Sequence, residues 1–291
     1  MASIADVVRD GVRLAAIPGA LLRHPAFAPY RDAAAKLRVA RMLASGFPCI
    51  ASSDGSIAND FVGGARPGGE HPVYSNSETK FPPRLIPPLV RALGALEFER
   101  RLVEHNELIV RPNNLHDTVN ALVWQVFPLT KRAISEAHVA LGAANTANGR
   151  PRRRDVLTLF DEAGALIISE RSDLRALHEA HAWRRLFVDH RAEFKRDCRV
   201  VLFGHGTLEQ LASNPHRGLT VKALWVNVSC ESSLSQVDHW LADQIRRDNV
   251  LDARERRLAL PILGVPGWFA ENSDPACYDD VAVFRPLRVP R

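Results

Sequence analysis

His116 and Asp117 fall near the start of the run Asn114-Leu-His-Asp-Thr-Val-Asn-Ala-Leu-Val-Trp124, and Asn120 follows one helical turn after His116. Histidine titrates near neutral pH and a carboxylate can hold its tautomer, so the group has the parts of an acid–base pair. The same imidazole, joined by a second histidine and an acid, can also ligate a divalent metal and leave a position open. Possible companions lie further along the chain: Asp161-Glu162, the Arg154-Asp155 pair, and His205 between two glycines. Glycine on each side lets a backbone approach His205 closely. On a helix, neighbouring side chains diverge by about 100°, so His116 and Asp117 cannot aim at one ion, whereas His116 and Asn120 share a face. Asn120 is therefore the expected neighbour of His116. His116, Asp117, Asn120, Asp161 and His205 form the expected catalytic set, with Trp124, Arg154 and Asp155 expected to contact a ligand.

Other chemistries lack their signatures. The chain has no H-E-x-x-H, no G-x-S-x-G elbow, no phosphate-binding glycine loop and no dinucleotide fingerprint. Cys49, Cys198, Cys230 and Cys277 are widely spaced, so neither a C-x-x-C metal knuckle nor a disulfide scaffold is written here.

The elements that must hold these residues follow from spacing. Asn114 suits an N-cap, Asp117 suits the first turn, and Leu115, Val119, Leu122, Val123 and Val126 make an apolar stripe, which together predict a helix over 115–126. His116, Asp117, Asn120 and Trp124 then share the opposite side, free of Lys, Glu and Arg. Pro128 ends or kinks that helix, and a second helical run is expected from Thr130 to Gly142. Residues 4–16 and 31–45 read as amphipathic helices, and Leu96 to Val110 as a strand pair. Val156 to Ile168, with Asp161-Glu-Ala-Gly164 in its middle, reads as a β-hairpin whose turn holds the acids. Helices are expected near 172–181 and 182–195, strands at Cys198–Phe203 and Leu219–Val228, and a helix after the Ser233/Gln236 capping box.

A chain of 291 residues with 46% hydrophobic and 24% charged residues can bury a sizeable core as an ordinary globular protein. The expected class is α+β, mixing helices with hairpins. Its expected layout is a helical N-terminal region with a Gly/Pro-rich loop over 1–90, the loop running from Ser52 to Pro88, and a main domain over 91–291, or one domain overall. The N-terminus, with Asp6, Asp10 and Pro18, makes a poor signal peptide and no membrane span, so the expected location is cytoplasmic. The net charge of +5 is a modest excess that supports nucleic-acid binding only weakly.

Four segments taken in order resemble one family. They are Asn114-x-His116-Asp117-x-x-Asn120-Ala-Leu-Val-Trp124, Leu157-Thr-Leu-Phe-Asp161-Glu162-x-Gly164, the Gly204-His205 turn, and Leu263-Gly-Val-Pro-Gly-Trp268. The resemblance is to the bacterial domain of unknown function 3025, from about residue 90 to the C-terminus. Leu115 stands where that family usually has Trp, and Gly206-Thr207-Leu208 where it has Ala-Leu-Tyr. The resemblance implies no established activity, substrate or cofactor. The residues point to a hydrolase-like enzyme acting on a small molecule, with a divalent metal possible. The alternative is a non-catalytic module that binds a phosphorylated ligand or nucleic acid through the basic segment 150–154. Oligomeric state has no signature.

Overall fold

The computed structural model describes residues 7–9, 12–37, 40–41, 82–143, 152–247 and 257–287. Its N-terminal elements are β1 (Val7–Arg9), β2 (Val12–Leu14), β3 (Ile17–Pro18), α1 (Gly19–Leu22), α2 (Arg31–Lys36) and β4 (Ala40–Arg41). Next come β5 (Arg84–Ile86), α3 (Ala95–His105), β6 (Glu107–Ile109), α4 (Leu115–Val126), α5 (Pro128–Ala143) and α6 (Arg152–Ala163). The remainder is β7 (Gly164–Ile168), α7 (Ser172–Glu179), α8 (Arg191–Asp197), β8 (Arg199–Leu202), α9 (His205–Ser213), β9 (Thr220–Val226), α10 (Leu234–Arg246) and β10 (Arg257–Pro261).

The fold is α+β. Its main sheet has the order β10-β9-β7-β8. β7 runs parallel to β9 and antiparallel to β8, and β10 pairs antiparallel with β9. All five residues of β7 are buried, as expected of a central strand covered on both faces. Phe127, Phe160 and Phe203 meet beside the sheet, Phe160 stacked on Phe203 at 4.9 Å and Phe127 edge-on to it at 5.4 Å. Ile17, Phe27, Tyr30 and Leu37 belong to the same buried cluster, and the Tyr30 hydroxyl donates to the Leu202 carbonyl.

α4 appears as expected, capped by Asn114, and α10 opens with the Ser233/Gln236 box. Four expectations need correction. Of the 4–16 stretch, Val7–Arg9 and Val12–Leu14 form the antiparallel pair β1–β2 rather than a helix, and residues 4–6 and 10–11 lie outside the described residues; Val12 and Leu14, two apart, are both buried, which is the strand period. The 31–45 helix stops at Lys36, and Ala40–Arg41 pair in parallel with β3. The 96–110 strand pair is α3 followed by β6: Phe98 and Leu102 face inward one turn apart, and Asn106, in the left-handed region at φ 53°, ends the helix. The expected hairpin is α6 running straight into β7. Val156, Leu157 and Phe160 are buried while Asp155 and Leu159 are exposed, the pattern of a helix and not of an alternating strand.

The second expected helix of the 172–195 stretch is divided, with a π-helical turn at Arg185–Asp189 ahead of α8. Most of the Ser52–Pro88 loop, together with Arg150 and Cys49, lies outside the described residues. Among the described residues no helix is long and apolar enough to cross a membrane.

Candidate metal centre

α4 and α9 bring the two histidines together edge-on, ring centres 4.6 Å apart. At the start of α4, the Asn114 carboxamide accepts the Asp117 N–H at 2.9 Å. Arg111 grips the Asp117 carboxylate three times, through its backbone N–H at 2.7 Å, Nε at 2.9 Å and Nη2 at 2.7 Å. Burial pushes the Asp117 carboxyl up, but the Arg111 contacts outweigh it and hold the group below its ordinary range. Asp117 therefore fixes the turn from which His116 projects.

α9 begins where β8 ends, and two glycines set how closely its first turn lies on the last turn of α6. A Cβ on Gly204 would sit 2.6 Å from the Glu162 carbonyl, and one on Gly206 would sit 2.4 Å from Glu162 Oε2. With no side chain at either place, His205 Nε2 comes to 3.4 Å from Glu162 Oε1 and 3.1 Å from His116 Nε2. One turn further along α9, Glu209 Oε2 accepts from His116 Nδ1 at 2.8 Å. That bond assigns the proton to Nδ1 and leaves the Nε2 lone pair pointing at His205. A carboxylate behind a histidine is the usual backing of a metal-ligating imidazole.

One donor atom from each of His116, His205 and Glu162 falls within a set spanning no more than 4.8 Å. Ligands about 2.0–2.1 Å from a tetrahedral ion stand roughly 3.3 Å apart, which the 3.1 and 3.4 Å separations match. The hydrogen bond to His205 is the largest influence on Glu162 and holds its carboxyl below its usual range, in the ligating form. On the other side of His205, Asp161 Oδ2 lies 3.7 Å from Nδ1, while Lys131 Nζ holds Oδ1 at 2.5 Å. Burial raises the Asp161 carboxyl, but the charges of Lys131, His205 and His138 together bring it below its ordinary value.

These groups open on a cavity of about 590 Å³. Asn120, Glu99, His138 and Thr158 complete its polar wall, and Leu89, Leu93, Phe98 and Ile109 make its apolar side.

The structure thus brings His116, Asn120, Asp161 and His205 around one hollow, with Asp117 at its edge. His116 takes Glu209 and His205 as partners, not Asn120. Trp124 does not reach the cavity: it is 2% exposed and packs beneath Lys131, whose Nζ lies 5.7 Å from the ring centre. Beyond its first turn α4 is buried nearly all round, so the polar face lasts only that turn. Arg154 and Asp155 stand in the opening turn of α6 and do not line the cavity, though the Arg154 charge acts on Glu99 in its wall, and Arg153 donates to the Ile245 carbonyl at 2.9 Å. Glu162, Glu209 and Glu99 carry site positions that the sequence reasoning did not assign. The spacing of His205 and Glu209 was the one local hint, since residues four apart share a helix face.

Fold and site together define an α+β protein with two histidines and a carboxylate converging in the wall of one cavity. The chain belongs to the family described as protein of unknown function (DUF3025), whose model matches residues 90–288, a span that holds every residue of the centre. No curated protein and no solved structure matches it.

Proposed function

We propose that the chain is a metal-dependent hydrolase in which His116, His205 and Glu162 hold a divalent transition-metal ion, zinc fitting the donor set best. Three protein ligands of the His2Glu type leave a coordination position for water or substrate, the mark of catalytic rather than structural sites. An ion there would acidify a coordinated water and polarise a carbonyl or phosphoryl oxygen. Glu209 orients the His116 ring, and the Lys131–Asp161 pair backs His205 from the side away from His116. The observation that carries the reading is the 3.1 Å approach of two Nε2 atoms, one of them fixed as a lone-pair donor by Glu209.

The test is elemental analysis of full-length protein purified without chelator, followed by zinc, cobalt and manganese titration of the stripped protein. Stoichiometric metal is expected in the wild type, and its loss in folded His116→Ala and His205→Ala variants. A wild type that takes up none of the three ions at micromolar concentration sinks the reading.

A further inference from the structure

Two side-chain oxygens in the cavity wall receive no hydrogen bond. Glu99 Oε2 on α3 is buried and unpartnered although Ser135 hydrogen-bonds the same carboxyl group, and Asn120 Oδ1 on α4 is buried and unpartnered too. Buried polar atoms are nearly always satisfied. Both residues line the same hollow as the centre. The group that complements two acceptors is a primary carboxamide, whose NH2 carries two donors, one for each oxygen.

We propose that Glu99 and Asn120 form an amide-recognition subsite, that the bond cut is the C–N bond of a carboxamide with an apolar acyl chain, and that Glu99 carries the proton. This rests on the metal-hydrolase reading above. The oxygen of water bonds to the carbonyl carbon while one of its protons passes to the Glu99 carboxylate. When the C–N bond breaks, its electron pair stays on nitrogen and Glu99 returns the proton there. Acid and amine leave, and Glu99 ends as it began.

The surroundings suit that task. Burial is the largest influence on the Glu99 carboxyl and raises it, with the Asp161 charge adding to the rise. Ser135 and Lys131 from α5 and Arg154 from α6 act the other way without cancelling it. Among the carboxyl groups of this wall, Asp117, Asp161 and Glu162 are held low while Glu99 is raised, the separation expected when one of them must exchange protons. The acyl chain would lie on Leu89, Leu93, Phe98 and Ile109.

Two measurements test this on the full chain. In calorimetric titration, hexanamide is expected to bind better than hexanoate or hexanol, in both zinc-loaded and zinc-stripped protein, and about tenfold or more weaker to Glu99→Gln or Asn120→Ala. With zinc bound, hydrolysis of hexanoyl 4-nitroanilide is expected to fall by about 100-fold or more in Glu99→Gln. The 4-nitrophenyl ester, which loses the acceptor for the water proton but whose leaving group needs no proton returned, should fall less than the anilide, and metal content and melting temperature should hold. Equal binding of the three hexyl compounds, or a metal-replete Glu99→Gln that cleaves the anilide at wild-type rate, overturns the proposal. Failure to bind metal strikes the earlier reading alone, because the stripped-protein titration still reads the subsite.

Discussion

Glu209 touches no expected ligand position, yet it decides which nitrogen of His116 is available. Its carboxylate accepts a hydrogen bond from Nδ1–H at 2.8 Å, so Nε2 faces His205 as a lone pair. Removing the charge while keeping the shape should loosen the ring and lower its basicity. Backing groups of this kind change metal affinity by about 10- to 100-fold when mutated. Glu209→Gln is therefore expected to bind zinc about 10- to 100-fold more weakly than the wild type, read by competition with a chromogenic chelator, with its melting temperature in stripped protein unchanged. Equal affinity in the two proteins would show that Glu209 is only a surface partner. The pairing joins residues 93 apart, and no local pattern announces such a contact. His116, Asn120 and His205 were readable because helix spacing and flanking glycines are written within a few residues. Glu162 reads from the sequence only as half of a turn, because the helix that carries it is written in β-favouring residues.

Some elements carry their own signals in the chain and others do not. α4 and α10 carry their own start signals, a capping Asn114 and the Ser233/Gln236 box, and both stand where the spacing puts them. α6 holds the β-favouring string Val-Leu-Thr-Leu-Phe, and Gly164 sits where a hairpin turn would need it. Packing against α9 and β9 overrides that propensity. α5 shows a different kind of dependence. Its first residue, Pro128, has no N–H, and the next two N–H groups, Leu129 at 3.0 Å and Thr130 at 2.8 Å, are accepted by Asp238 from α10. Asp238 is 2% exposed, and burial raises its carboxyl even against those bonds. Asp238→Ala leaves two donors buried and should cost about 2 kcal/mol in urea unfolding. Asp238→Asn keeps an acceptor without burying a charge and should cost less than half of that. A neutral Asp238→Ala would mean that α5 is held by its apolar contacts alone.

The whole molecule is tied across the sheet by a further histidine whose chemistry is structural. His178 on α7 is fully buried; its Nδ1 accepts from Trp225 Nε1 at 2.8 Å, and its Nε2 donates to the Ala259 carbonyl at 2.9 Å. One ring thereby links α7, β9 and β10, in the neutral form only, because a proton on Nδ1 would face the indole N–H. Burial is the main cause of a pKa lowered to about 4, against an ordinary 6.5. A value depressed in the folded state means that the neutral ring's contribution is complete above the unfolded value and is lost as pH falls toward the folded one. Stability should therefore drop between about pH 6.5 and pH 4 by roughly 3 kcal/mol from this group, and level off for it below that window. His178→Phe removes the titration and leaves the Trp225 N–H unmatched. It should be less stable than the wild type at pH 7.5 and lose less on acidification, so that the two unfolding curves draw together by pH 4.5. The check is the urea midpoint of both proteins at the two pH values, in metal-stripped samples, because His116 and His205 would otherwise add the acid release of a bound ion to the same window. Parallel losses in wild type and variant would assign the acid sensitivity to other groups.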